Sequence, residues 1–240
     1  MKKTRKTRIL IKISGSSLQN PNTTDTFDLK RLDNLCKQIA ILHKKYEIGI
    51  VVGGGNIWRG KLSKDLRMDQ RRADYIGMVA TIINASLIDT QLDVYNVKSC
   101  VLSSIPCPHL TNIITPDNID NAFSENKVVI FAGGIGAPFF TTDTGAALRA
   151  IEINAKLILV GKDGVDGVYS SDPKKNPNAK FYSKLTFKQA LKEKLSIMDL
   201  TSFTMCQEND IELIIFNIEK PNSIINAISG KIKRTLVSTN

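Results

Sequence analysis

The sequence predicts an α/β protein: a three-layer α/β/α sandwich around a mainly parallel sheet. Short apolar, β-branched runs recur along the chain, as strands buried on both faces require. Helical apolar spacing separates most of them, the alternation that places crossover helices on a parallel sheet. Three runs end in glycine-rich turns, where a missing Cβ lets a ligand approach the main chain.

The first strand is expected near 8–13, where Ile9-Leu10-Ile11-Lys12-Ile13 runs into Ser14-Gly15-Ser16-Ser17. Leu29, Leu32, Leu35, Ile39 and Leu42 then recur at helical spacing. Ile48-Gly49-Ile50-Val51-Val52 reads as a buried strand, and Gly53-Gly54-Gly55-Asn56 follows it directly. Ile76, Val79, Ala80, Ile83 and Leu87 mark the apolar stripe of a second helix, and a strand is expected near 93–97. Val128-Val129-Ile130-Phe131 enters the third turn, Ala132-Gly133-Gly134-Ile135-Gly136. Ala146, Ala147, Ala150 and Ile151 place a helix at 144–154, and strands follow near 156–160 and 212–216. Segment 163–183 departs from the alternation. Its two D-G pairs and Pro173 predict a hairpin or excursion. Thr186-Phe187-Lys188-Gln189 has capping-box spacing and starts a helix to about Lys194. A helix at 222–229 ends with Gly230 in the C′ position. The chain shows no internal repeat, low-complexity tract or long linker, so residues 1–240 are expected to form a single domain.

A chain of 240 residues that is 42% hydrophobic supports a full core. No stretch reaches the roughly 18 consecutive apolar residues of a membrane span. The basic start, Met1 to Arg8, reads as a solvated arm and lacks a signal-peptide apolar segment. A cytoplasmic protein with no membrane partner is expected. Cys36, Cys100, Cys107 and Cys206 form no C-x-x-C pair and read as reduced thiols. With only His43 and His109, a histidine metal site or a Ser-His-Asp triad is not expected. The net charge of +10 favours anionic partners. Basic residues are dispersed among acids, as in Lys192-Glu193-Lys194, and no RNA-binding aromatic signature interrupts them. Nucleotides are therefore favoured over a nucleic-acid partner.

The chain has neither the G-x-x-x-x-G-K-[ST] loop nor the protein-kinase signatures, so a nucleotide enzyme of this sequence needs another phosphate cradle. Lys12 is the first candidate: an ammonium emerging beside Ser14-Gly15 would neutralise a phosphate or a phosphoryl transition state. The competing reading is an edge-strand lysine facing solvent. The second candidate is Phe139-Phe140-Thr141-Thr142-Asp143. Helix capping accounts for one of its three polar residues. The others suit an anion site at a helix N-terminus, with the phenylalanines as a platform for a flat base. Third, Arg59 would fork onto phosphate and Asp74 would accept hydrogen bonds from a ribose diol. Surface salt bridges are the alternative for both.

Lys12-Ile-Ser-Gly15, Gly53-Gly-Gly-Asn56 with Arg59, Ala73-Asp74-Tyr-Ile-Gly77-Met78 and Pro138-Phe-Phe-Thr-Thr-Asp143 occur in that order. Asp166-Gly-Val-Tyr169, Asp172-Pro173 and Met198-Asp199-Leu200 follow. Together they resemble the bacterial uridylate (UMP) kinase family of the amino-acid kinase superfamily, over nearly the whole chain. The resemblance implies transfer of the γ-phosphoryl group of ATP to UMP in pyrimidine nucleotide biosynthesis, with Mg²⁺ bridging the ATP phosphates. Lys12, Ile13, Ser14 and Gly15, with Gly55 and Arg59, would face those phosphates. Asp163, Tyr169 and Asp172 would line the adenosine end. UMP would meet Gly54, Asp74 and the stretch Ile135, Gly136, Ala137, Pro138, Phe139, Phe140, Thr141 and Thr142. Lys12 and Asp143 would be catalytic, Asp143 orienting Lys12 or the metal shell, with Asp199 in support. A homohexamer and UTP feedback inhibition are implied as well.

The chemistry fits independently. The acceptor would be a phosphate oxygen with a second pKa of about 6, largely dianionic near neutrality, so no general base is required. Two departures from the family pattern stand out. Ile135 and Ala137 occupy positions where many members have Thr and Asn, leaving recognition there to backbone groups or Thr142. Asn20-Pro21-Asn22-Thr23-Thr24-Asp25-Thr26 replaces a glycine-rich segment associated with GTP regulation, so GTP activation is not expected. Two other readings stay open: another amino-acid kinase, such as acetylglutamate or carbamate kinase, and a nucleotide-sensing or RNA-binding protein without turnover.

Overall fold

The computed structural model describes residues 6–20 and 22–239. Residues 1–5 of the basic arm, and Pro21 of the segment at 20–26, lie outside the described residues. The strands are β1 (Thr7–Ile13), β2 (Tyr46–Val52), β3 (Ser99–Ser103), β4 (Asn112–Ile113), β5 (Val128–Ala132) and β6 (Leu157–Lys162). Then come β7 (Val168–Tyr169), β8 (Phe181–Tyr182), β9 (Lys184–Thr186), β10 (Glu212–Asn217) and β11 (Arg234–Ser238). Nine of them form one sheet in the order β4-β3-β5-β2-β1-β6-β10-β11-β9. Its neighbours are parallel except β10 and β11. The expected excursion is an antiparallel hairpin of β7 and β8.

β1 lies in the middle of the sheet, paired to β2 on one side and β6 on the other. The chain thus winds away from β1 in both directions. Open α/β sheets bind ligands outside the carboxyl ends of the strands at such a reversal.

Helices cover both faces. Against one lie α1 (Leu29–His43), α3 (Gln70–Asp93) and α8 (Ser223–Ile228). Leu32, Leu35, Ile39, Ile82, Ile88 and Ile224 meet Ile9, Ile11, Ile48 and Ile50 there. The other face carries α4 (Pro116–Ser124), α5 (Thr142–Glu152), α6 (Phe187–Lys192) and α7 (Leu200–Glu208). Ile119, Ala146, Ala150 and Phe203 meet Leu10, Val129, Phe131 and Ile158 on it. A short α2 (Gly60–Asp65) precedes α3. Each fully buried Leu, Ile or Phe contributes about 1.5–3 kcal/mol, and side chains alternate along each strand. In β1, Ile9, Ile11 and Ile13 enter the first core and Leu10 the second. Lys12 then falls where the second core would demand an apolar residue.

Several expectations need correction. No strand occupies 93–97. The α3 helix runs to Asp93 and closes with Asn96 at φ +54°. There Val97 N–H donates to Leu92 O at 3.2 Å and Asn96 N–H to Asp93 O at 2.9 Å, the paired bonds of a Schellman motif. Val97 is the motif's apolar clasp, and the strand begins at Ser99. In α3 the stripe named from sequence is largely the uncovered one: Ile76, Val79 and Ile83 are exposed, while Met78, Ile82, Ala85 and Ile88 are buried. The helix is apolar on more than one side, so spacing alone did not pick the covered face. Leu29 at the head of α1 is exposed too. Helix α5 spans Thr142–Glu152 rather than 144–154, and α6 stops at Lys192. Thr186 caps α6 through Gln189 N–H, but the Gln189 side chain bonds Glu193, so half a capping box forms. Helix α8 begins after Asn222, and Gly230 follows it at φ +73°.

Sequence reasoning missed α4, although Thr115 caps it and Pro116 opens it, and missed α7, capped by Asp199. All four cysteines are free, with Cys36 and Cys206 buried. Among the described residues, no helix is long and apolar enough to cross a membrane.

Candidate active site

The three glycine turns lie side by side. Strands β5, β2 and β1 are consecutive and parallel, so the turns after Ala132, Val52 and Ile13 share one edge of the sheet. They also touch. A Cβ on Gly15 would stand 2.4 Å from Gly55 N and 2.7 Å from Gly53 O, so only glycine lets the first two turns close on each other. Gly133 has φ +73° and faces Ser103 and Ser104, a conformation glycine adopts without steric cost. Asn84, fully buried in α3, donates to Gly53 O at 2.6 Å and holds the second turn from below.

Lys12 is on the central strand, so the edge-strand reading fails. It is 8% exposed and its Nζ lies 2.6 Å from Asp143 Oδ1 in the first turn of α5. Removing one partner of such a buried pair costs about 3–5 kcal/mol, because the other charge is stranded. Thr141 is the residue that capping accounts for: its Oγ1 accepts from Asp143 N–H and Thr144 N–H. The same hydroxyl donates to Asp199 Oδ2 at 2.5 Å, and Thr144 Oγ1 donates to that oxygen at 3.0 Å. Asp199 in turn caps α7 through Ser202 N–H at 2.9 Å. Burial opposes ionisation of Asp199, but the bonds from Thr141, Ser202 and Thr144 outweigh it and hold its carboxyl below the usual range. Two helix N-termini are thereby fastened together beside Lys12.

A cavity of about 580 Å³ opens at this edge. Of the residues expected around UMP, it is lined by Gly54, Asp74, Ile135, Ala137, Phe140, Thr141 and Thr142. Gly55, Arg59 and Ser16 line it as well. Gly136, Pro138 and Phe139 are not among its walls. Phe139 turns its ring to solvent at φ +72°, a conformation that costs a non-glycine residue about 1–3 kcal/mol. Its N–H donates to Asp74 Oδ2 at 2.7 Å, which helps hold the turn. Only Phe140 of the expected aromatic platform therefore faces the cavity. Asp74 also accepts from Gln70 of the same helix at 2.6 Å, so its carboxylate is held while the Phe139 bond ties α3 to the third turn. Arg59 donates to Gly55 O at 2.8 Å and to Gln19 Oε1 at 3.1 Å, bracing the second turn. Trp58, Met78, Thr81, Phe131 and Arg149 also stand in the wall. Sequence reasoning missed them, because each sits inside or just beyond a helix or strand that reads as scaffold.

A second cavity, about 570 Å³, lies against the β7–β8 hairpin. Asp163, Tyr169 and Asp172 line it together, with Lys162 beside them. Asp163 accepts hydrogen bonds from Ser16 Oγ at 2.5 Å and Ser17 Oγ at 2.8 Å. Ser16 also lines the first cavity, so the turn after β1, with Ser14 and Gly15, separates and joins the two. Ile13 is a core residue whose carbonyl takes the Gly53 N–H at 2.9 Å. Tyr169 packs edge-on against Phe181, with Lys233 Nζ 3.1 Å from its hydroxyl.

Two cavities on the carboxyl edge of a parallel sheet, one walled by Thr142 next to Asp143 and the other by Lys162, which feels the charges of Asp143 and Lys12, describe a group-transfer enzyme with two phosphorylated ligands. Residues 7–217 match the Amino acid kinase family, and the chain belongs to that family. It is 49% identical to a uridylate kinase of Mycoplasmoides gallisepticum over 233 residues, covering 97% of this chain and 99% of that protein. A crystal structure of UMP kinase from Ureaplasma parvum superposes with a TM-score of 0.95 at 49% identity, covering 98% of this chain and 99% of that one. The UMP kinase of Bacillus anthracis gives 0.91 at 34% identity, covering 98% and 97%.

Proposed function

We propose that this chain transfers the γ-phosphoryl group of ATP to UMP, giving UDP and ADP, as a single amino-acid kinase domain spanning residues 1–240. One observation carries the reading: two cavities of similar size flank the Lys12–Asp143 pair, the first walled by Thr142 next to Asp143 and the second by Lys162, which feels both charges. UMP occupies the cavity walled by Gly54, Asp74 and Phe140. ATP runs from the Tyr169 cavity toward the turn after β1. A phosphate oxygen of UMP forms the new bond to Pγ, and the bond from Pγ to the β–γ bridging oxygen breaks with its electron pair left on ADP. No proton is taken up, because the acceptor phosphate is largely dianionic near neutrality. The work left to the protein is alignment of two repelling anions and neutralisation of the equatorial oxygens. Backbone N–H groups of the turns, Lys12 and Arg59 suit it. Asp143 holds Lys12 in place.

Phosphoryl transfer in this family is ATP-dependent and typically uses a divalent metal. Among the described residues no three His, Cys, Asp or Glu side chains converge as a metal cage. Single carboxylates beside a phosphate site fit Mg²⁺, which is commonly held by one or two carboxylates plus substrate phosphates and water. Asp143 is the carboxylate that would face it. When bound, the ion neutralises charge on the β- and γ-phosphates.

The exposed apolar stripe of α3, Tyr75, Ile76, Val79 and Ile83, supports self-association, with a homohexamer as the assembly. UTP, which carries the same base and ribose as UMP, would compete for the first cavity as a feedback inhibitor. The setting is cytoplasmic pyrimidine nucleotide synthesis.

Coupled-assay turnover with ATP, Mg²⁺ and each nucleoside monophosphate tests the reading. UMP is expected to be preferred and CMP poor, and Lys12→Ala and Asp143→Asn are expected to lose at least ~10²-fold in kcat while folded. Robust turnover by Lys12→Ala removes that residue's role. Preference for a small carboxylate acceptor points to another amino-acid kinase. Salt-dependent RNA binding without UDP formation points to a binding protein.

A further inference from the structure

Ile135 and Ala137 line the first cavity and offer it no polar side chain, so a base seated against them must be read by the main chain of the third turn. Among the described residues neither the Ile135 N–H nor the Ala137 N–H donates a hydrogen bond. Both donors are therefore available to a ligand. The turn that carries them is built from Gly133, Gly134 and Gly136, all at positive φ. Glycine loses more conformational freedom on folding than any other residue, so a turn this rich in it keeps one shape only where something outside it holds on.

Arg149 of α5 is that hold. It is 5% exposed and stands in the wall of the same cavity. Its Nη1 donates to Glu152 Oε2 at 2.5 Å, one turn further along the helix, which fixes the planar fork. On the other arm Nη2 donates to Ser104 Oγ at 2.8 Å and reaches Gly134 O at 3.4 Å. Ser104 Oγ donates in turn to Gly134 O at 3.0 Å. Guanidinium, hydroxyl and carbonyl thus close a triangle whose third corner is the main chain of the turn. The Gly134 carbonyl and the Ile135 N–H belong to one planar trans peptide, so fixing the oxygen also fixes the N–H, which points the opposite way. Arg149 Nε is buried without a hydrogen-bond partner. An unpaired interior donor costs stability, a cost that an arginine present only to hold the fold together would not carry.

We propose that Arg149 and Ser104 are positioning residues that set the base preference of the acceptor cavity: by holding the Gly134 carbonyl they aim the Ile135 N–H at the 4-oxo group of a uracil ring. The inference rests on the kinase reading above and deepens it. Cytosine carries an amino group at that position, so donor would face donor and both would be left unpaired. Discrimination of this kind is strong because the site's own polar group loses its partner along with the ligand's. Neither Arg149 nor Ser104 touches the base. They act through the peptide between Gly134 and Ile135.

The test uses the full chain with ATP and Mg²⁺, and with UMP or CMP as acceptor. Ser104→Ala removes one hydroxyl and adds nothing. It is expected to lower the ratio of kcat/KM for UMP to that for CMP by about fivefold, through a higher KM for UMP, with KM for ATP and the melting temperature near parental values. Arg149→Met keeps the length of the side chain without the fork and is expected to lower the same ratio. The double variant should fall no further than the worse single one, because the two residues act as a unit. A ratio within about twofold of the parent in Ser104→Ala overturns the proposal and leaves the kinase reading standing. Losses that multiply in the double variant overturn the relay, and a matching rise in KM for ATP marks general loosening and overturns it as well. A parent that makes CDP as readily as UDP has no preference to set, which again overturns the proposal alone. A parent that forms no UDP overturns the kinase reading itself. Should Arg149→Met fail to fold, the ratio in Ser104→Ala decides.

Discussion

Gly15→Ala puts the meeting of the glycine turns to a direct test. The added Cβ would lie 2.4 Å from Gly55 N and 2.7 Å from Gly53 O, where ordinary contact begins at 3.4 Å. Both atoms are main chain, so neither can rotate away, and the turns after β1 and β2 must part by about 1 Å. Gly15 is not at positive φ, so the penalty is steric rather than conformational. Overpacking of this kind costs about 1–3 kcal/mol, which in a chain of this size lowers the melting temperature by about 2–12 °C. A displacement of about 1 Å at reacting groups costs about 10²-fold in rate. The matched variant is Gly55→Ala, whose Cβ meets nothing within 4 Å. It should melt with the parent yet bind nucleotide poorly, because its methyl group fills the open space proposed to receive phosphate. Thermal melts and initial rates of UDP formation read both effects. Gly15→Ala with a parental melting temperature and kcat within about threefold of the parent refutes the claim that the two turns must touch.

Two more predictions follow from the structure. Asp199→Ala should lose about 0.5–2 kcal/mol of stability at pH 7 from the cap alone. The Asp199 carboxyl titrates below its usual range, so its stabilisation is present at neutral pH and fades as pH falls through the folded pKa. Urea midpoints of parent and variant should therefore converge in acid, and a gap that widens instead refutes the assignment. Val79→Asp on the exposed stripe of α3 should leave folding within about 0.5 kcal/mol and reduce the assembled mass in light scattering. Equal mass at equal concentration refutes that face as the seam.

How far the sequence could be read follows from the range of the forces involved. β1, β2 and β5 were legible because strand apolarity and the glycines after it are both local. The Gly230 stop is local for the same reason, and so is a cap among Thr141, Thr142 and Asp143, although the sequence did not settle which of the three it is. Which side of α3 is covered was not legible, since Ile76 and Ile82 are equally apolar and only the sheet beneath decides between them. The short strands β4 and β9 are too brief to show a period, and β11 joins the sheet between β10 and β9, a place that only the assembled sheet defines. In the site, Lys12 and Asp143 stood out by type and place. Lys162 did not, because Gly161 and the Asp163-Gly164 pair around it read as a turn rather than a strand end. Asp199 entered only through resemblance, since its bonds to Thr141 and Thr144 span 58 and 55 residues.

One hydroxyl near the end of the chain has a long reach. Thr235 of β11 is fully buried. Its Oγ1 accepts from Val168 N–H at 2.8 Å and donates to Tyr182 O at 2.5 Å. It thus pins both arms of the β7–β8 hairpin to the sheet, beyond residue 217, where the family match stops. A chain cut back to Ile232 would keep all three glycine bends and still lose the rivet that sets the far wall of the Tyr169 chamber. A ligand entering that chamber would then find a loose flap where the intact chain offers a fixed surface.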